Sequence, residues 1–339
     1  MRKWIGSLLL LCVSLAVALV GIEVFARVIM DNGMEYDLEM WKYAKRAKIV
    51  SDNPDIGHEH RPNVNTHLMG TDFSSNSMGL RDREFAIPKP AGVTRILFVG
   101  DSLTEGWGVD EDKTVPKQLE KMLNAKGDGH KYEVANAGVG NWNSIMEATW
   151  TMTKGIKLQP DMVILGYFIN DAEPTPHRTG GGLAEWSYAY VVFGGKVGEL
   201  WRRMFGGPDW DEYYANLYKP DAPAWIKNQD ALKRLAAFCR ERNLPLLMVN
   251  FPELHQLDPY PFAKIADKVA NLAREMKVPY LDLLDSVRHE KPNTLWVTPP
   301  DPHPNAKADA LFAKAIDQFL EREMPLGGNE MGAGAALNR

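Results

Sequence analysis

Arg95-Ile96-Leu97-Phe98-Val99-Gly100-Asp101-Ser102-Leu103-Thr104-Glu105-Gly106 is the stretch whose reading decides the fold. An apolar run without polar alternation, closed by a glycine and followed by turn residues, marks a strand buried on both faces. A helix is expected next: Thr114 can cap it, Pro116 suits its first turn, and Val115, Leu119, Met122 and Leu123 share one face. The alternation then repeats. Strands are expected at 132–135, 162–165, 246–249 and 280–283, and helices at 144–157, 230–242, 261–276 and 306–322. Strands separated by helices imply βαβ units and an α/β fold with a parallel sheet of about five strands. Ligands in such sheets bind beyond the carboxyl ends of the strands, so chemistry is sought just after each strand.

Outside this repeat lie three irregular regions. Residues 31–90 are polar and turn-rich, and are expected to form a lead-in that wraps the domain at 91–325. Residues 172–228 interrupt the alternation with an insertion rich in Gly, Pro and aromatics, a length that suits a lid, a binding loop or a contact surface. The tail 326–339 is dominated by Gly and Ala and is expected to be disordered.

At the amino terminus, Met1-Arg2-Lys3 precedes an apolar run over 4–30 that carries no charge before Glu23. About 20 such residues cross the hydrocarbon core as a helix. The basic flank favours a cytoplasmic start, which places everything after residue 30 outside the cytoplasm. Ala16-Val17-Ala18 resembles a signal-peptidase site but sits inside the apolar run, so a retained anchor is the expectation. Cys239 is the one cysteine beyond that run, which excludes a disulfide within the soluble part. A net charge of −5 gives no electrostatic case for nucleic-acid binding.

Four polar clusters follow strands or precede the last helix. Gly100-Asp101-Ser102 sets a hydroxyl beside backbone N–H groups that can stabilise an oxyanion. Asn136-Ala137-Gly138-Val139-Gly140-Asn141 lets backbone approach a ligand closely. Asn170, after the third strand, brings an amide that donates without titrating. Asp301-Pro302-His303-Pro304 offers a base and a carboxylate to orient it, as a serine hydroxyl requires at neutral pH.

In this order the four clusters resemble the SGNH (GDSL) hydrolase family over roughly residues 90–322. Asn76-Ser77-Met78-Gly79-Leu80-Arg81 is similar to the segment before the first block in membrane-anchored bacterial members. The resemblance implies a flavodoxin-like three-layer α/β/α fold, with Ser102 as nucleophile, His303 as general base and Asp301 orienting it. It implies oxyanion donors at Ser102 N–H, Asn170 and either Gly140 or Asn141, and no metal or cofactor. It also implies an ester substrate, lipid or acylated glycan, met at the outer face of a bacterial inner membrane. A glycan O-acetyltransferase and a catalytically idle accessory subunit bound to a membrane-protein partner are the alternatives. Elsewhere, His58-x-His60 could bind a metal but is read as solvated loop residues, and Glu253 and His255 could line the same mouth but are read as a surface loop. The aromatic insertion, with Arg202-Arg203 beside Trp201 and Phe205, could hold an acyl chain, a sugar face or the membrane interface.

Overall fold

The computed structural model describes residues 2–175, 182–205 and 210–326. Helix α1 (Arg2–Phe25) continues through a π-helical turn at Ala26–Met30, and together they are long and apolar enough to cross a membrane. The lead-in is more ordered than its composition suggested. It holds α2 (Tyr36–Arg46), the antiparallel ladder of β1 (Lys48–Val50) with β2 (His58–His60), and that of β3 (Asn65–Leu68) with β4 (Thr71–Ser74). Lys48 pairs with His60 and Val50 with His58. Opposed residues share a face, as do residues two apart, so Lys48, His58 and His60 project to one side.

The central sheet comprises β5 (Val93–Gly100), β6 (Lys131–Gly138), β7 (Met162–Tyr167), β8 (Leu246–Asn250) and β9 (Tyr280–Asp282). All pairs are parallel, in the order β6-β5-β7-β8-β9. Alternate residues of β5 face opposite layers. Leu97 and Val99 pack with α5 (Ser144–Thr153), α8 (Pro223–Glu241) and α9 (Ala263–Met276). Ile96 and Phe98 pack with α4 (Val115–Ala125) and α11 (Ala306–Glu323). The three-layer expectation is met, and both layers are apolar because every inner strand is covered on both sides.

The remaining elements adjust the expectations. A four-residue helix, α3 (Ser102–Glu105), follows β5 directly. Thr114 precedes α4 but its hydroxyl bonds Glu111 O at 2.9 Å rather than capping the helix. The insertion is largely helical, with α6 (Tyr188–Phe205), α7 (Trp210–Leu217) and the first turns of α8, which begins at Pro223 rather than 230 because Pro is favoured there at a helix start. The short α10 (Leu284–Val287) follows β9. Asp301 to Pro304 forms β11 (Asp301–Pro304), paired with β10 (Trp296–Thr298). The side chains of Trp201, Arg202, Arg203 and Phe205, and the tail from Gly327, lie outside the described residues.

The amino-terminal helix is tied to the insertion by Glu23 and Arg27. Glu23 accepts from Ser187 Oγ (2.8 Å) and from the N–H groups of Tyr188 and Ala189 (both 3.1 Å), the free donors at the start of α6. Arg27 bonds Glu23 (2.7 Å) and Trp186 O (2.6 Å).

Candidate active site

Ser102 opens α3 at the carboxyl edge of the sheet. Asp101 caps that turn, its Oδ1 accepting from Leu103 N–H at 2.9 Å. The turn ends at Gly106, whose φ of +84° favours glycine and whose missing Cβ leaves room for Thr114. Four residues thus reverse the chain and present a hydroxyl.

Ser102 Oγ lies 2.9 Å from His303 Nε2, and His303 Nδ1 lies 2.6 Å from Asp301 Oδ1. That same oxygen accepts His303 N–H at 3.1 Å, and Oδ2 accepts Trp107 Nε1–H at 2.9 Å. Asp301 is fully buried, which alone would raise its pKa; the donors from His303 and Trp107 outweigh this and hold it below the usual carboxylate range. Burial pulls the His303 pKa down, but the hydrogen bond and charge of Asp301 carry it above the ordinary value. Asn305 fixes the segment from behind: its Oδ1 accepts from Lys307 and Ala308 N–H to start α11, and its Nδ2 donates to Thr294 O and Trp296 O. The rings of Tyr36 and Trp107 stand 6.0 and 6.3 Å from the imidazole.

These groups open on a cavity of about 400 Å³ walled by Tyr36, Met40, Phe168, Trp210, Tyr214 and Leu254. Asn141 and Asn170 reach the same space. So do Glu253 and His255, hydrogen-bonded to each other: the surface-loop reading holds for His255, which is exposed, and fails for Glu253, which is buried.

The glycine block behaves differently at its two candidate positions. Gly140 N–H donates to Glu105 Oε2 (2.8 Å) and Tyr43 Oη (2.9 Å), so it is not available to a ligand. Burial raises the Glu105 pKa, and the Arg81 and Lys48 charges with the Tyr43 and Gly140 donors offset only part of the rise. Asn141, at φ +63°, lines the cavity, and its N–H has no acceptor among the described residues. The Gly140 carbonyl accepts from Lys48 Nζ and from His58 Nε2 (3.0 Å).

His58 and His60 are therefore not solvated loop residues. His60 is buried, bonding Tyr43 Oη at 2.6 Å and Gly79 O at 3.1 Å. Burial, with the Lys48 charge second, pushes His58 down to about 4 and holds His60 well below the ordinary value, so both are neutral. Lys48 is pushed down to about 7 by burial, against the pull of Glu105. Arg81 supports the far end of the Ser102 turn, donating to Glu105 O (3.1 Å), Gly106 O (2.6 Å) and Val109 O (2.6 Å).

A hydroxyl, an imidazole and a carboxylate in series at the carboxyl edge of a 2-1-3-4-5 parallel sheet mark the chain as an α/β protein of the acyl-hydrolase class. It belongs to the GDSL-like lipase/acylhydrolase family, whose model matches residues 98–311. None of the curated proteins compared with it matches. Among solved structures it is similar to a two-domain esterase active on acetylated mannans (16% identity, TM-score 0.43, 68% of this chain). The match spans 49% of that esterase, about half its length. TesA (15% identity, TM-score 0.45, covering 67% of this chain and 98% of TesA) and the lipase/acylhydrolase from Enterococcus faecalis (12% identity, TM-score 0.42, covering 67% and 95%) are similar in the same way.

Proposed function

We propose that this protein is a membrane-anchored, extracytoplasmic esterase that cleaves an acyl or acetyl ester through Ser102, His303 and Asp301. The observation that carries the reading is the unbroken chain of contacts from Ser102 Oγ to His303 (2.9 Å) and from His303 to Asp301 (2.6 Å), facing a cavity. Ser102 Oγ attacks the acyl carbon while its proton passes to His303 Nε2. The oxyanion is received by the N–H groups of Ser102 and Asn141 and the amide of Asn170. The alkoxide leaves with the proton from His303. Water then attacks the acyl-enzyme, gives a proton back to His303, and the acid departs as Ser102 is regenerated. The 27-residue, mainly apolar span Trp4–Met30 supports anchoring, with the basic amino terminus inside and the catalytic groups outside, in the periplasm of a bacterium.

The test is fluorophosphonate labelling and p-nitrophenyl ester turnover by the detergent-solubilised chain. Ser102→Ala is expected to abolish labelling and to lower turnover by at least about 10³-fold. Labelling that survives the substitution refutes the nucleophile. A second reading, transfer of the acyl group to a sugar hydroxyl, draws support from Trp210 and Tyr214 in the cavity wall, rings on which a sugar face can stack. It predicts that turnover partitions from water to an added glycan acceptor. The intact contact chain speaks against a catalytically idle accessory role.

A further inference from the structure

The Gly140–Asn141 peptide has two ends, and they face different parts of the molecule. A trans peptide is planar, with its C=O and N–H pointing in opposite directions. Whatever grips the Gly140 oxygen therefore aims the Asn141 N–H. That oxygen is gripped twice, by Lys48 Nζ and by His58 Nε2 at 3.0 Å, both from the β1–β2 ladder. The preceding peptide is pinned as well, through Gly140 N–H to Glu105 and Tyr43. Lys48 is itself buried, with its ammonium 4.4 Å above the Tyr43 ring and 3.4 Å from Asn141 Oδ1. A neutral donor would suffice to hold a carbonyl in place. Lys48 donates to the carbonyl as amine or ammonium, and in its protonated form it adds polarisation: it draws charge toward the oxygen and makes the N–H of the same peptide a stronger donor.

We propose that Lys48, assisted by His58, is a positioning residue that orients and polarises the Gly140–Asn141 peptide, so that the Asn141 N–H receives the oxyanion formed at Ser102. The lead-in segment is then part of the catalytic apparatus rather than a wrapping. This rests on the ester-cleaving reading of Ser102. The interaction strengthens as negative charge develops, so it acts on the transition state and leaves substrate binding alone.

The test uses the full chain in detergent, with Lys48→Met, Lys48→Arg and His58→Leu. Lys48→Met is expected to lower kcat for p-nitrophenyl acetate about 10- to 100-fold, less than deleting a donor outright. KM should change by less than about twofold. Affinity for a trifluoromethyl ketone, which forms the oxyanion adduct, should fall in parallel, and Lys48→Arg should recover part of both. A folded Lys48→Met protein with wild-type kcat, or with its loss confined to KM, overturns the proposal. The Asn141 amide nitrogen resonance reads the same contact without turnover. It should move upfield in Lys48→Met, and an unmoved resonance overturns the proposal even in a protein that hydrolyses no ester. Absence of esterase activity in the wild type would instead count against Ser102 chemistry. Should Lys48→Met fail to fold, His58→Leu removes the second donor to the same oxygen and is judged by the same two measurements.

Discussion

Asp301 accepts from opposite sides, and that arrangement makes a double substitution more informative than a single one. Its Oδ1 takes two donors from His303, and its Oδ2 takes Trp107 Nε1–H at 2.9 Å. In Asp301→Asn one oxygen becomes an NH2 group. If the amide oxygen faces His303, the NH2 meets the Trp107 N–H; if it faces Trp107, the NH2 meets the His303 backbone N–H and leaves Nδ1 as an acceptor. The second arrangement puts the imidazole proton on Nε2, where it cannot take a proton from Ser102. Each arrangement leaves one donor facing another in a buried site, so neither is strongly preferred. Together with the lost charge, a fall in kcat of about 10⁴-fold is expected, as for such a substitution in a serine triad. Adding Trp107→Phe removes the conflict only from the productive arrangement. A buried unpaired donor costs about 1–3 kcal/mol, enough to fill the productive arrangement, and because that arrangement starts about half occupied the double variant should regain up to about twofold over Asp301→Asn. Trp107→Phe alone should slow the enzyme, because it strips a donor from a buried carboxylate. The opposite signs are the signature. Steady-state kcat for the four proteins on one ester decides it. A double variant as slow as, or slower than, Asp301→Asn refutes the idea that Trp107 sets the orientation at this position.

Two further outcomes follow from the same coordinates. Because Asp301 raises the His303 pKa and only the neutral imidazole accepts a proton, kcat/KM should climb with pH through a midpoint above the ordinary 6.5; a midpoint at or below that value would contradict the coupling. Gly138→Ala should cost more than about 3 kcal/mol, because the new Cβ would lie 2.1 Å from Glu105 N, a backbone atom that cannot turn aside. A thermal midpoint equal to that of the parent would show that β6 and α3 are not so close.

The sheet could be read from the sequence because its signals are local. The apolar stretches that became β5, β7 and β8 are each buried, and those of β5 and β7 end where a polar cluster begins. Ser102, Asn170, Asp301 and His303 could be found for the same reason, since position after a strand or before a helix marks them. Glu105, Tyr43, Lys48, His58 and Trp107 could not. The first four meet where the lead-in packs on the glycine block, through contacts between residues roughly 90 apart in the chain, and Trp107 meets Asp301 from still farther away; no periodicity encodes either contact. The one available signal was Glu105, a carboxylate in a segment otherwise fated to be buried, which had to be met by donors from somewhere. Between Gly140 and Asn141 that carboxylate favours the second as the proposed donor, because it claims the Gly140 N–H.

The contact between Glu23 and the start of α6 bears on how the chain can be shortened. Severed after Met30, the protein would lose the acceptor for Ser187 Oγ and for the N–H groups of Tyr188 and Ala189. It would also lose the Arg27 guanidinium that holds Trp186 O. The insertion runs from there toward Trp210 and Tyr214 at the cavity wall. A water-soluble fragment trimmed at residue 31 would thus have an unclamped roof, while one trimmed just after Ala18 would keep the clasp and shed most of the apolar helix. Ester specificity measured on the first fragment would describe the fragment, and only the second would report on the full chain.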